Sequence, residues 1–127
     1  MNFAIREGLR LIANEGLENI WNRHNSNAIK LWNGLEHLGI DLHVSSEFRL
    51  PTLTTVKIPP AVDGDAFRNH LLNKFGIEIG NGLGSLSGKV WRIGLMGFNS
   101  SDENVNRLLN IFDTELKKFS IFDSSAF

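Results

Sequence analysis

The sequence predicts an α+β fold, in which a long kinked helix precedes a two-layer sandwich with a small, mostly antiparallel sheet and helices on one face. Three observations predict this class. Stretches near both ends repeat apolar residues at three- and four-residue steps, as amphipathic helices do. Between them lie short runs that alternate apolar and polar residues, as half-buried strands do. Glycine and proline separate these runs, so the predicted order is helix, strand, strand, helix, strand, strand, helix.

Composition bounds the number of domains and the kinds of partner. The 127 residues are 42% apolar and 21% charged, which fits one ordinary domain with a core of its own. The 13 basic and 14 acidic residues are spread along the chain, so the basic stripe of a nucleic-acid-binding protein is missing. The chain has no cysteine and no apolar run of membrane-spanning length. We therefore expect no thiolate metal site, and neither nucleic acid nor membrane as a partner.

Residues 1–38 form a predicted helical lead-in segment, which the sequence NEG breaks near Gly16 before a second helix starts at Leu17. Gly39 ends this region as a helix cap. Without a break the helix would be roughly 54 Å long, whereas a compact chain of this size has a radius of gyration of about 14 Å. The first turns would project from the domain, so we expect the apolar stripe from Phe3 to Ile12 to pack on another chain or on a domain absent from this sequence.

Two strands open the predicted α+β domain of residues 39–119. Ile40–Val44 alternates apolar and polar residues, which predicts a short edge strand. Leu53–Ile58 is rich in β-branched residues and ends at Pro59 and Pro60, because proline has no backbone donor to offer a sheet.

A helix and a third strand follow. Either Asp63 or Asp65 can cap the start of this helix, and Gly76 closes it in the position that favours a left-handed residue. Its apolar face contains Phe67, Leu71 and Phe75. The third strand is then predicted over Ile77–Ile79.

The last predicted helix opens at a capping box formed by Ser100 and Glu103, and its apolar stripe runs from Val105 to Phe119. Residues 120–127 show no such period. We expect them to form a loose tail.

The predicted strand Val90–Leu95 carries the main candidate site residue, Arg92. Because strand side chains alternate, Trp91, Ile93 and Leu95 share one face and Val90, Arg92 and Gly94 the other. The first face is core, and the second presents a guanidinium beside a glycine that clears space. Such an arginine can receive a carboxylate through a two-pronged hydrogen bond. Spacing alone leaves open the alternative of an edge-strand arginine that points into water.

The glycine-rich loop before this strand contains Gly80, Gly82 and Gly84. It fails as a phosphate-binding loop, because that pattern needs a glycine at Leu83 and a hydroxyl at Val90. A strand follows the loop where a dinucleotide fingerprint requires a helix. We expect the glycines to permit a tight positive-φ turn that lets the backbone approach a ligand near the site.

Other catalytic signals are weak. The histidines at 24, 37, 43 and 70 have no metal-binding spacing, so we predict no metal. Lys89 beside the glycine loop is interpreted as a solvated lysine, with a catalytic amine as the alternative.

Several blocks resemble one family of enzymes. LPTLTTVKIPP (residues 50–60), FGIEIGNGLGSLSGKVWRIGLMG (75–97) and ENVNRLLNIF (103–112) are similar to the carboxy-terminal domain of the alanine–glyoxylate (serine–pyruvate) aminotransferases. These are class V pyridoxal-phosphate enzymes. EGLENIWNRH (15–24) is similar to the helix that leads into that domain, so the resemblance covers nearly the whole chain, in the right order.

The resemblance implies amino transfer between alanine or serine and glyoxylate or pyruvate, on a homodimeric enzyme. It implies that Arg92, in the RIGL motif, binds the substrate carboxylate. It also implies that the cofactor lysine lies in a large domain missing from this chain, so that the chain alone holds no pyridoxal phosphate and is inactive. None of the chain's own lysines matches that role: Lys30, Lys57, Lys74, Lys89, Lys117 and Lys118.

Two alternatives stay open at this stage. The first is a class V aminotransferase for another substrate, of the kynurenine type. The second is a non-catalytic small-molecule or protein-interaction module derived from this domain. The resemblance implies a peroxisomal or mitochondrial location, but the ending SSAF departs from the small-basic-leucine type of peroxisomal signal and leaves the compartment open.

Overall fold

A three-stranded antiparallel sheet, covered by helices on one face, lies at the centre of the structure, a computed structural model that describes residues 2–120. Its strands are β1 (Leu53–Lys57), β2 (Gly80–Asn81) and β3 (Val90–Gly94), in the spatial order β1-β3-β2. The helices are α1 (Asn2–Glu15), α2 (Leu17–His37), α3 (Gly64–Phe75) and α4 (Asp102–Glu115). The predicted α+β class is therefore confirmed, and no helix in the described part is both long and apolar enough to cross a membrane.

Three helices cover the same face of the sheet. From α2, the Trp32 Nε1 donates to the hydroxyl of Thr54 on β1 at 2.8 Å. The Phe67 ring of α3 lies 5.1 Å from the Trp91 ring of β3, and the Phe112 ring of α4 lies 6.0 Å from it. The strand side chains on this face are buried: Thr54, Val56, Trp91 and Ile93. We call it the covered face.

The opposite face of the sheet carries Arg92. The register pairs Arg92 with Thr55 on one side and with Gly80 on the other, and paired residues of antiparallel strands share a face. Arg92 and Thr55 are half-buried, and Gly94 is exposed. We call this the open face.

The helical lead-in segment consists of two helices, with the break at the predicted position, Gly16. α1 ends at Glu15 and α2 begins at Leu17, because Gly16 between them has a φ of 87°, a conformation that favours glycine. Glu15 accepts two hydrogen bonds from the Arg23 guanidinium, at 2.5 and 2.9 Å, which ties the two helices together at the break. No residue of α1 is buried.

The predicted strand Ile40–Val44 is wrong as a strand, since only a single bridge joins Leu42 to Val56 of β1. The backbone at both ends of this segment is already engaged. The Ile40 N–H donates to the carbonyl of Leu35 as part of the end of α2. The Val44 carbonyl accepts from Arg49 Nε at 2.8 Å.

The prediction of a strand over Ile77–Ile79 is also wrong, because β2 begins at Gly80. The Ile77 N–H closes the end of α3 by donating to Leu71, and the Ile79 carbonyl accepts from Arg68 Nε at 3.2 Å. These groups are therefore not available to a ladder.

The predicted cap is found at the start of α3, whereas at α4 a neighbouring serine takes the predicted place. Of the two aspartates, Asp63 is the cap of α3, and its carboxylate accepts from the Ala66 N–H at 3.1 Å. At α4 the cap is Ser101, whose hydroxyl accepts from the Asn104 N–H at 3.1 Å. Ser100 is instead buried, and its hydroxyl accepts from Asn27 Nδ2 at 3.2 Å.

The end of the chain is described only in part. After α4 a short 3-10 helix runs over Leu116–Phe119, and Ser120 forms an antiparallel bridge with Val62. The rest of the predicted tail, residues 121–127, lies outside the described residues.

Candidate functional site

The Arg92 guanidinium lies across the short strand β2 on the open face. Its Nε donates to the backbone carbonyl of Asn81 at 2.7 Å, which fixes the plane of the group. A Cβ at Gly80 would lie only 3.2 Å from Nη2, a contact tighter than ordinary van der Waals packing. The absence of a side chain at Gly80 therefore leaves the room that the guanidinium occupies.

The outer edge of this guanidinium is unpaired. Among residues 2–120, neither Nη1 nor Nη2 of Arg92 has a hydrogen-bond or ion-pair partner. Four other arginines of the described part each pair with a carboxylate: Arg10, Arg23, Arg49 and Arg68. Arg92 thus presents two parallel N–H donors, the arrangement that binds a planar anion such as a carboxylate.

The three glycines singled out by sequence have different roles. Gly80 contacts the guanidinium, as described above. A Cβ at Gly82 would lie 2.1 Å from the Leu86 carbonyl oxygen, so Gly82 lets the loop fold back on itself. Gly84 has a φ of 56°, which favours glycine. Gly94 is exposed, and a Cβ there would meet only the Met96 Cε at 3.5 Å, an ordinary van der Waals distance, so the space proposed beside it stays a prediction.

Asn81 is a site residue that sequence reasoning missed. Its side-chain oxygen accepts from the N–H groups of Gly82 at 2.8 Å and Gly88 at 3.1 Å, and its Nδ2 donates to the Ser87 hydroxyl at 3.2 Å. Its own carbonyl holds Arg92. The available signal was an asparagine between two glycines, a sequence typical of turns in which the side chain bonds the local backbone.

Basic side chains line a groove at the Val90 end of β3, which Arg92 itself does not line. His43, Lys57 and Lys89 surround it together with Val90, which shares the open face with Arg92. Among the described residues, no carboxylate lines this groove. The groove itself therefore favours a negatively charged ligand.

The histidines and acids of the described residues come together in no group of three or more that could hold a metal ion. Both ring nitrogens of His24 are engaged: Nε2 accepts from the Gly97 N–H at 2.9 Å, and Nδ1 lies 2.8 Å from the Ile20 carbonyl oxygen. His24 therefore anchors the loop after β3 to α2.

A second charged cluster lies on the covered side, around Glu115. The Glu115 side chain is 5% exposed, and its carboxylate contacts Lys118 at 2.6 Å, Lys74 at 3.1 Å and His70 at 3.5 Å. Hydrogen bonds from Lys118 and then Lys74 lower the pKa of Glu115 to about 2. This carboxylate has its counter-ions within the chain, so we interpret the cluster as structural.

Comparison with known proteins identifies relatives of this domain. No protein-family model matches the sequence. The alanine–glyoxylate aminotransferase of Callithrix jacchus is 47% identical over 105 residues, which are 82% of this chain and 25% of that protein. The crystal structure of an alanine–glyoxylate aminotransferase from Nostoc sp. is 57% identical with a TM-score of 0.85, and the match covers 88% of this chain and 30% of that one.

A third relative acts on a different amino donor. The crystal structure of ureidoglycine–glyoxylate aminotransferase from Bacillus subtilis matches with a TM-score of 0.88 and 39% identity, over 92% of this chain and 30% of that one. The chain thus spans between a quarter and a third of the length of the relatives it matches. Over this one domain, which has the fold of the aminotransferase small domain, the chain is a homologue of the alanine–glyoxylate aminotransferases.

Proposed function

We propose that this chain is the part of a pyridoxal-phosphate-dependent aminotransferase that binds the α-carboxylate of the substrate, and that Arg92 is the residue that binds it. The observation that carries the proposal is the unpaired Nη1–Nη2 edge of Arg92 on the open face. A half-buried guanidinium with a fixed plane and two free donors is arranged for one carboxylate. The complete enzyme would move an amino group between alanine or serine and glyoxylate or pyruvate.

One arginine can serve both halves of such a reaction. Amino donors and oxo-acid acceptors of this class share an α-carboxylate and differ in their side chains. A group that holds only the carboxylate orients every substrate in the same way, so the choice among substrates belongs to other contacts. Alanine is proposed as donor because alanine–glyoxylate enzymes match at 57% and 47% identity, while ureidoglycine enzymes match at 43% and 39%.

The residues of this chain do not fit the covalent anchor of pyridoxal phosphate. When bound, this cofactor supplies the electron sink for the reaction. A lysine that forms its imine is usually desolvated or activated by a neighbouring cation, whereas Lys30, Lys74 and Lys118 pair with carboxylates. Lys57, Lys89 and Lys117 are exposed. We expect the cofactor to be held by the rest of the enzyme and the isolated chain to be inactive.

The exposed apolar side chains of α1 indicate that this helix packs on a part of the enzyme outside this chain. Ile5 is 59% exposed, and Leu9, one turn further along the same face, is 62% exposed. Apolar side chains spaced along one helix usually mark an interface. Because the relatives are three to four times longer than this chain, we propose that α1 packs on the large domain of the same enzyme, which would act as a homodimer.

The test uses a chimera in which this chain replaces the matching part of the Nostoc enzyme. In that chimera Arg92→Lys keeps the charge but loses the planar pair of donors. Loss of one charge-assisted hydrogen bond costs about 1.5 to 3 kcal/mol, so kcat/KM should fall roughly ten- to hundredfold. The fall should be similar for alanine, serine and glyoxylate, and the absorbance of bound cofactor should not change.

A matched control is Arg107→Lys, since Arg107 is an exposed arginine of α4 that donates to the Phe75 carbonyl. This variant should keep wild-type kinetics. The proposal is wrong if the chimera binds cofactor without turnover, or if Arg92→Lys keeps the wild-type kcat/KM for all of these substrates.

A further inference from the structure

The loop between β2 and β3 is held closed by one side chain. The Asn81 amide oxygen accepts from the first N–H of the loop, at Gly82, and from an N–H near its end, at Gly88. Its Nδ2 donates to Ser87. The oxygen and one N–H of this half-buried amide are thus used within the loop.

The same residue holds the guanidinium of Arg92. β2 consists of Gly80 and Asn81 alone, and a glycine flanks Asn81 on each side, so this strand has little side-chain packing to fix it. The Asn81 carbonyl nevertheless receives the 2.7 Å hydrogen bond from Arg92 Nε. The position of that carbonyl therefore depends on the pairing of β2 with β3 and on the hydrogen bonds that the Asn81 side chain makes to the loop.

We propose that Asn81 is a positioning residue for the carboxylate site, acting through Arg92; the proposal rests on the function proposed above. With Nε bound to the Asn81 carbonyl, the guanidinium plane is fixed, and its Nη1–Nη2 edge has no partner among residues 2–120. Without the Asn81 amide, the Gly88 N–H loses its acceptor, the Gly82 N–H keeps only the Val90 carbonyl at 3.2 Å, and the loop loosens. The carbonyl then moves, and the guanidinium is no longer held ready for the ligand.

The direct test needs neither substrate nor cofactor. Heteronuclear NMR of the full chain measures how fast the Arg92 Nε–H exchanges with solvent. In Asn81→Ala we expect exchange about three- to tenfold faster, the change that loss of one neutral hydrogen bond brings. Asn81→Asp keeps an oxygen that can accept from both loop N–H groups, so it should keep the slow exchange. Asn110→Ala removes an exposed asparagine of α4 and is the matched control.

The second test uses the chimeric enzyme. Asn81→Ala should lower kcat/KM about three- to tenfold for alanine, serine and glyoxylate alike, with unchanged cofactor absorbance. In an Arg92→Lys background the same change should cause no further loss, because the lysine has no Nε–H to position. If Asn81 had only a structural role, the losses of kcat/KM in the two single variants would add in the double variant.

These results separate the two proposals. Unchanged Nε–H exchange in Asn81→Ala, or additive losses in the double variant, overturns the positioning role. If Arg92→Lys keeps wild-type kcat/KM, the proposed function fails, while the exchange rates still decide whether Asn81 holds Arg92. Should Asn81→Ala not fold, Asn81→Ser can accept from Gly82 but is too short for both N–H groups, and unchanged exchange in that variant overturns the role as well.

Discussion

The two faces of the small sheet differ in how many of their side chains find packing or hydrogen-bond partners within the chain. On the covered face, Trp91 is fully buried between the rings of Phe67 and Phe112, and the nearby Glu115 carboxylate has its own cations. On the open face, the next residue of the same strand, Arg92, leaves two donors without a partner among residues 2–120.

This difference separates stability from function. Burial of aromatic surface and pairing of charges stabilise the fold on the covered face. An arginine with free donors on the open face adds little to the folded state but is ready for a ligand. Adjacent residues of β3 should therefore respond to mutation in opposite ways.

The sharpest test of this comparison, and the largest expected effect on stability, is truncation of Trp91 and Arg92 in turn. Trp91→Ala removes a fully buried ring, and such changes cost about 3 to 5 kcal/mol of unfolding free energy. Arg92→Ala removes one hydrogen bond from a charged donor and should cost about 1.5 kcal/mol, the lower end for such bonds, because the site is half-buried. Urea unfolding of the full chain followed by tryptophan fluorescence and circular dichroism measures both. Equal losses of unfolding free energy in the two variants would show that side chains of the open face stabilise the fold as much as those of the covered face.

The next test concerns the pH dependence of stability that the Glu115 carboxylate causes on the covered side. The pKa of Glu115 is lowered from 4.5 to about 2 by hydrogen bonds from Lys118 and Lys74. The folded chain therefore binds this proton less readily than the unfolded chain, so the stabilisation is complete above about pH 4.5 and is lost as the pH falls toward 2. His70 also faces this carboxylate.

In Glu115→Gln this part of the acid dependence should be absent, and the melting temperature at neutral pH should be lower than in the wild type. A weaker dependence of the melting temperature on pH remains in both proteins, because the hydrogen bond from Arg23 also lowers the pKa of Glu15. Thermal melts between pH 2 and 7 compare the two, with Arg92→Gln as the open-face control. An identical acid profile in the wild type and Glu115→Gln would contradict the assigned pairing.

How much of this could be predicted from sequence depends on whether local or tertiary contacts decide it. The alternation around Arg92 and the left-handed cap at Gly76 follow from local geometry, and the structure has both. Ile77–Ile79 has the composition of a strand, but contacts to α3 take its backbone groups. Ser100 fits a capping box as well as Ser101 does, and only the buried partner Asn27 distinguishes them. The hydrogen bond between the Asn81 carbonyl and Arg92 depends on the pairing of β2 with β3, which the sequence does not reveal.

The smallest expected effect concerns α1, which extends the comparison from the sheet to the helices. α1 and α4 each contain 14 residues, yet α1 buries none of them and α4 buries five. Replacing Phe3 and Leu9 together by serine should change the unfolding free energy of the isolated chain by about 0.5 kcal/mol or less, because these side chains are already exposed. Val105→Ser in α4 is the buried counterpart and should be clearly destabilising. Sedimentation measures association alongside the unfolding experiments. If the wild type associates with itself and the double serine variant does not, a second copy of the chain covers α1, and the proposal that it packs on the large domain is wrong.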